Sequence, residues 1–250
     1  MKIQLMRHGT VIIYLNNKKI LIDPVLSPKN TIPPIPDVEN QNFNPLVDLP
    51  IKINDIINCD AVIITHTHED HFDSNAANVI PKNILMFCQP EDKLKLETLG
   101  FSNVHAISDF YMWNEITISK ISGEHGHGEL AIKMAPVSGF VLSCKKEPSI
   151  YIAGDTVWCS KVKEAIEKFK PKIMVCNCGG AHFSFGEPIT MTGKDISEIS
   201  NNFHDIKIVA VHMDSWNHCS FSRKDLKYYI DKNHIKASVT IPQDGEILNF

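Results

Sequence analysis

The sequence predicts an α/β protein, a sandwich of two mixed β-sheets with helices on the outer faces. Three observations carry that prediction. Short apolar runs bounded by turn residues recur along the chain, as buried strands do. Amphipathic segments alternate with them, as packed layers of helix and sheet require. The pattern also occurs twice: each half opens on consecutive strands and passes into strand–helix alternation, although no internal repeat aligns the halves. With 250 residues, 43% of them hydrophobic and 22% charged, the chain has enough apolar material for a sizeable core, and residues 1–250 are read as one domain.

The elements follow in order. Lys2 to Arg7 and Val11 to Leu15 read as strands, Asn16-Asn17-Lys18 as a hairpin turn, and Lys19 to Ile22 as the returning strand, stopped by Asp23-Pro24. Residues 24–50 carry seven prolines and are loop, too irregular for a domain; loops of this length in compact proteins are often functional, so this one is placed beside the site. Ala61 to Thr65 is a strand, His71 to Val79 a helix ended by Pro81, Ile84 to Cys88 a strand, and Glu91 to Leu99 a helix stopped by Gly100. Val104 to Ile107, Glu115 to Ile121, Leu130 to Met134, Gly139 to Ser143 and Ile150 to Ala153 read as strands. Lys161 to Phe169 is a helix with Val162, Ala165, Ile166 and Phe169 on one face. Ile173 to Cys176 is a strand, Lys194 to Phe203 a helix, Ile208 to Val211 a strand, Arg223 to Asn233 a helix and Val239 to Ile241 a last strand.

The formal net charge is -4, which argues against a nucleic-acid surface. Seven scattered cysteines imply no disulfide framework, so a reducing cytoplasm is expected. Met1 to Thr10 shows no signal-peptide pattern, and no apolar run approaches membrane-spanning length. Homo-oligomerisation is left open.

The most informative stretch is Ala61-Val-Ile-Ile-Thr-His-Thr-His-Glu-Asp-His71. Imidazole nitrogen suits zinc and neighbouring transition metals. In an extended backbone, positions i and i+2 share a side, so His66 and His68 can hold one ion, while Asp70 and His71 can face a second. Solvated loop histidines are the bland alternative, and four ligand-type residues directly after a buried strand outweigh it. A third imidazole for the first ion comes from Gly123-Glu124-His125-Gly126-His127, with His125 favoured over His127 on loop geometry. Asp155 follows a strand and can bridge two cations, and His212 ends another strand. Each is weak alone, since Gly-Asp after a strand is often only a turn. Together they give three imidazoles to one ion, Asp70, His71 and His212 to the other, and Asp155 to both.

These residues, in this order, resemble the metallo-β-lactamase superfamily, whose pattern is a His-x-His-x-Asp-His loop, a later His, an Asp after a strand and a final His after another strand. The resemblance implies a four-layer αββα sandwich, a hydrolase, and metal ligands at His66, His68, Asp70, His71, His125, Asp155 and His212. Asp23-Pro24, Gly154-Asp155-Thr156 and the Pro242 to Glu246 stretch are similar to the ascorbate-6-phosphate-lactonase-like branch and its uncharacterised relatives. Departures narrow the family. No Cys stands at position 155 and no export signal is visible, unlike true β-lactamases. Glu69 lies between ligand positions, unlike the oxygen reductases of this fold. No RNA-binding insertion is present.

Five neutral imidazoles, two carboxylates and two divalent ions sum to a net positive charge, and the same residues without metal to a negative one. The loaded site would therefore attract an anionic or carbonyl substrate. Zinc is the expected metal, with manganese or iron as alternatives. The resemblance implies attack by a metal-bridging hydroxide on a small ester, lactone or related acyl substrate, with Asp70 orienting the nucleophile or accepting its proton. A metal-dependent phosphodiesterase or nuclease on the same scaffold is the first alternative, and a non-catalytic metal-binding protein the second. His182 and His218 are candidate substrate contacts. Thr190, Thr192 and Trp216 are weaker candidates, and Trp158 and Asn177 weaker still. Lys161, Lys163, Lys168 and Lys172 read as a solvated helix face. Arg7-His8-Gly9 resembles the start of histidine phosphatases, but the following strands point elsewhere, and His8 is assigned a structural role.

Overall fold

The computed structural model describes residues 1–134, 136–235 and 238–250. Fourteen strands are described: β1 (Lys2–Arg7), β2 (Thr10–Leu15), β3 (Lys18–Ile22), β4 (Ala61–Ile64), β5 (Leu85–Cys88), β6 (Val104–Ala106), β7 (Phe110–Trp113), β8 (Ile116–Ser122), β9 (Ser138–Ser143), β10 (Ile150–Ile152), β11 (Ile173–Asn177), β12 (Lys207–Val211), β13 (Ser238–Thr240) and β14 (Ile247–Asn249). They form two seven-stranded sheets, ordered β14-β1-β2-β3-β4-β5-β6 and β13-β12-β11-β10-β9-β8-β7. Each sheet joins an antiparallel meander to a run of parallel strands: β3 to β6 in the first, β10 to β13 in the second. The last strand leaves the second half and pairs with the first, Ile3 opposite Leu248.

Alternation along the strands explains the layers. In β4, Ala61 and Ile63 enter the core between the sheets, and Val62 and Ile64 face outward. In β11, Ile173 and Val175 face inward, and Met174 and Cys176 outward. A strand buried on both faces must be apolar on both. The outer face of the first sheet is covered by α1 (Ile53–Ile57), α2 (Ser74–Val79) and α3 (Lys93–Thr98) through Ile56, Ala76, Ala77 and Leu96. The outer face of the second is covered by α5 (Ser160–Phe169), α6 (Gly193–Asn202) and α7 (Arg223–Lys232) through Val162, Ile166, Ile196, Ile199 and Leu226. This is the predicted αββα order. A further helix, α4 (Gly128–Lys133), buries no side chain.

Three expectations need correction. Leu130 to Met134 is part of α4 and its end, not a strand: its apolar run finds no neighbouring strand, and Ile132 stays 81% exposed. The helix expected over His71 to Val79 begins at Ser74, because Asp73 caps it by accepting from Ala76 N at 2.7 Å, which leaves His71 in the preceding turn. Strands β7 and β14 were not predicted. Phe110 and Met112 of β7 and Ile247 of β14 are exposed, so neither gives a buried-strand signal.

Candidate metal centre

Parallel strands end on the same edge, so their loops meet there, and in open α/β sheets that edge is where ligands bind. β4 leads to His66, His68, Asp70 and His71. β8 leads to His125, β10 to Asp155, β11 ends on Asn177, and β12 leads to His212. His66, Asp70, His71, His125, Asp155 and His212 are buried, and His68 is half-buried.

Ligand-type atoms of His66, His68 and His125 lie within 4.8 Å of one another, as do those of His66, His71 and Asp155. A third set, His8, Asp70, His71 and His212, meets the same distance. Asp155 stands between them: its Oδ1 is 3.2 Å from His71 Nε2 and 3.4 Å from His212 Nε2, and its Oδ2 is 3.6 Å from His125 Nε2. The backbone is bent to allow this. Gly154 has φ +67°, and a Cβ there would sit 2.8 Å from Ser138 O. His212 holds φ +69°, a conformation uncommon for a side chain of that size.

The outward nitrogens of the imidazoles are anchored. His71 Nδ1 donates to Asp23 Oδ2 at 2.7 Å, and His125 Nδ1 to Ile189 O at 2.9 Å. His66 Nδ1 meets Thr65 Oγ1 at 3.1 Å, and that hydroxyl donates to Asp23 Oδ2 at 2.6 Å. His212 Nδ1 faces Cys219 Sγ at 3.4 Å. Such contacts fix tautomer and ring orientation and turn Nε2 into the cluster. Asn177 Nδ2 donates to Asp155 Oδ1 at 2.6 Å.

The electrostatics suit a cation. Burial, with His71 and His68 nearby, pushes His66 well below its ordinary range; burial lowers His125 to about 4. Both therefore offer bare nitrogen at neutral pH, the state metals bind. Burial would raise Asp155, but His212, His71 and His125 together hold it well below the usual carboxylate range; His71 and its neighbours do the same for Asp70. His66 Nε2 is buried without a hydrogen-bond partner among the described residues, an orphan that a metal ion would satisfy. The donor set fits divalent metal.

The placement of other candidates is mixed. His125 enters the cluster; His127 precedes α4 and lines a different cavity with Glu187 and Tyr229. His218 Nε2 reaches Asp70 Oδ2 at 3.4 Å. His182 stands away from the cluster, bonded to Gly180 O and Ser220 Oγ, on the wall of a cavity of about 920 Å³ that also reaches His218 and Cys219. Thr190 accepts from Ala181 N, and Thr192 caps α6, so both hold the fold. Trp216 is fully buried, its ring 5.7 Å from that of His8.

Sequence reasoning did not connect Arg7, His8 and Asp23 to the site. Arg7 donates to the carbonyls of Val25, Ser27 and Val47, pinning the proline-rich loop. His8 Nε2 lies 3.3 Å from Asp70 Oδ2, which places this turn residue beside the cluster. Nothing local marks His8 or Asp23 as partners of residues 42 or more positions away; the only signal was the polar type of each at a strand end.

Donor atoms gathered this way at the edge of two facing sheets define a candidate metal-dependent enzyme centre. A Beta-lactamase superfamily domain model matches residues 18–213, and the chain belongs to that superfamily. It is 39% identical to the UPF0173 protein YddR of Bacillus subtilis (strain 168) over 254 residues, covering all of both chains. Two crystal structures superpose along its whole length. One is of a possible metal-dependent hydrolase from Veillonella parvula DSM 2008, 37% identical with a TM-score of 0.97 over 99% of that chain. The other is of isothiocyanate hydrolase from Delia radicum gut bacteria, 35% identical with a TM-score of 0.96 over 99% of that chain. Among the described residues, no helix is long and apolar enough to cross a membrane.

Proposed function

We propose that this chain is a di-metal hydrolase that adds water to an electrophilic carbon of a small, uncharged substrate, within a single domain. His66, His68 and His125 would hold one ion, Asp70, His71 and His212 the other, and Asp155 both. When bound, two divalent ions, zinc by preference, supply Lewis acidity and a water of lowered pKa. The observation that carries the reading is Asp155, whose two oxygens face the imidazoles of both sets. Asp70, whose Oδ2 faces imidazoles from two loops, His8 after β1 and His212 and His218 after β12, would accept a proton at the site. His218 and His182, on the wall of the 920 Å³ cavity, would contact substrate.

The chemistry of that wall supports this substrate class. Among the described residues it carries Asp37 and Glu39 from the proline-rich loop and no Lys or Arg. A second cavity, of about 500 Å³, reaches His125 and balances Lys120 and Lys161 against Glu91 and Glu124. The first wall offers no cationic handle of the kind a phosphate group calls for, and in the second Lys161 is paired with Glu124. This weighs against phosphorylated lactones and phosphodiesters, and for esters, lactones or similar uncharged electrophiles. A second reading, an isothiocyanate as substrate, is favoured by the likeness to isothiocyanate hydrolase over the whole chain.

The test is a panel with the metal-loaded enzyme: neutral esters, unmodified and phosphorylated lactones, allyl and phenyl isothiocyanate, and bis(p-nitrophenyl) phosphate. Turnover of uncharged carbon electrophiles is expected, abolished by chelation and restored by zinc. Turnover of the phosphodiester alone would replace this reading with that of a phosphodiesterase.

A further inference from the structure

His8 stands in the β1–β2 turn with φ +55°, a left-handed conformation that only a supporting environment retains. The support is visible. His8 O accepts from His212 N at 3.0 Å, the His8 ring lies against the His212 ring at 3.5 Å between centroids, and Gly9 passes so close that a Cβ would meet His71 Cε1 at 3.3 Å. The side chain is fully buried and aims Nε2 at Asp70 Oδ2, 3.3 Å away.

Two roles fit that distance. His8 could be another metal ligand, since its nitrogen belongs to a set with Asp70, His71 and His212. Or it could hold Asp70 by hydrogen bonding. Its other nitrogen discriminates. A neutral ligating imidazole coordinates through one nitrogen and carries its proton on the other, which needs an acceptor. His66, His71, His125 and His212 all have a partner at Nδ1. His8 Nδ1 is buried and has none among the described residues. Ligation through Nε2 would leave an unmatched N–H donor there. The other tautomer puts the proton on Nε2, where Asp70 accepts it, and leaves only a bare lone pair at Nδ1. Buried unpaired donors are the rarer of the two in proteins.

We infer that His8 is a positioning residue: it donates Nε2–H to Asp70 Oδ2 and so fixes the carboxylate that serves one of the two ions. His218 repeats the pattern from another loop, with Nε2 3.4 Å from the same oxygen and Nδ1 also without a partner among the described residues. Asp70 is thus gripped from both sheets. The inference rests on the proposed metal site and adds to it a residue outside the superfamily pattern given above.

The test uses two amides of different reach. In His8→Gln the side-chain nitrogen extends about as far as Nε2; in His8→Asn it stops near the position of Nδ1, and Asn tolerates left-handed backbone well. Wild type and both variants are checked for folding by circular dichroism. They are then loaded with Co(II), titrated against a competing chelator, and examined for coordinated imidazoles by pulsed electron paramagnetic resonance. In His8→Asn, one of the two ions should bind about ten- to a hundredfold more weakly, as for other partners of ligands, with an altered visible spectrum and an unchanged imidazole count. His8→Gln should recover most of that affinity. A count reduced by one in both variants would make His8 a ligand and overturn the inference. Unchanged affinity in His8→Asn would overturn it as well, with the metal reading intact. Wild type that takes up no cobalt would remove the metal reading itself, and with it any role for His8 toward an ion.

Discussion

The first sheet brings His66, His68, Asp70 and His71 to the site on a single loop after β4. The second brings His125, Asp155 and His212 on three separate loops, after β8, β10 and β12. The two regions also support their residues differently. On the first side one carboxylate, Asp23, accepts from Thr65 N, Thr65 Oγ1 and His71 Nδ1, so a single buried group ties down both ends of the loop. On the second side each residue has a partner of its own: Ile189 O for His125, Asn177 for Asp155, Cys219 for His212. A concentrated region should fail as a unit and a dispersed one piece by piece.

The largest effect is expected at the residue that joins the two regions. On the proposed two-ion reading, Asp155→Ala should lose at least one ion per chain relative to wild type, and reduce turnover by more than the roughly hundredfold attached to partners of ligands. Mass-spectrometric metal analysis and the substrate panel measure both, and two ions retained would separate Asp155 from the metals. Next comes Asp23→Asn, which keeps the shape but cannot accept from three donors. It should weaken metal binding by about a hundredfold, against about tenfold for Asn177→Ala on the dispersed side. Equal losses, measured by chelator competition, would erase the distinction between the regions.

A smaller effect tests the wall of the cavity. Asn217 accepts from Ile35 N and Asn44 Nδ2 and donates to Ile35 O and Asn40 O, tying the proline-rich loop to the segment after β12. Asn217→Ala should cost about 2 kcal/mol, the penalty of orphaning buried partners, seen as a lower melting temperature at unchanged metal content. Metal loss in this variant would show that the loop props the site as well as walling the cavity. The smallest effect belongs to Lys163 on the solvated face of α5, where alanine should stay within about 0.5 kcal/mol of wild type.

The layer order was legible because alternation in strands such as β4 and β11 is a local property. Lengths of apolar run failed where burial was missing, at α4, β7 and β14. The His66–His71 loop was legible for the same reason: its members are neighbours in sequence, and their spacing on an extended chain is itself geometry. His125, Asp155 and His212 were legible only by addition to that loop and by likeness to a known pattern. What the sequence by itself determined is therefore the sandwich and the presence of a metal-binding loop. Tertiary structure alone placed His125 and not His127 among the clustered donor atoms, raised Asn177 from a weak candidate to a partner of Asp155, brought Asp23 under His71, and turned His8 from a residue of the β1–β2 turn into a neighbour of Asp70. Those relations join residues 22 to 64 positions apart, and only the parallel ends of two sheets, meeting on one edge, convert that separation into hydrogen-bond distance.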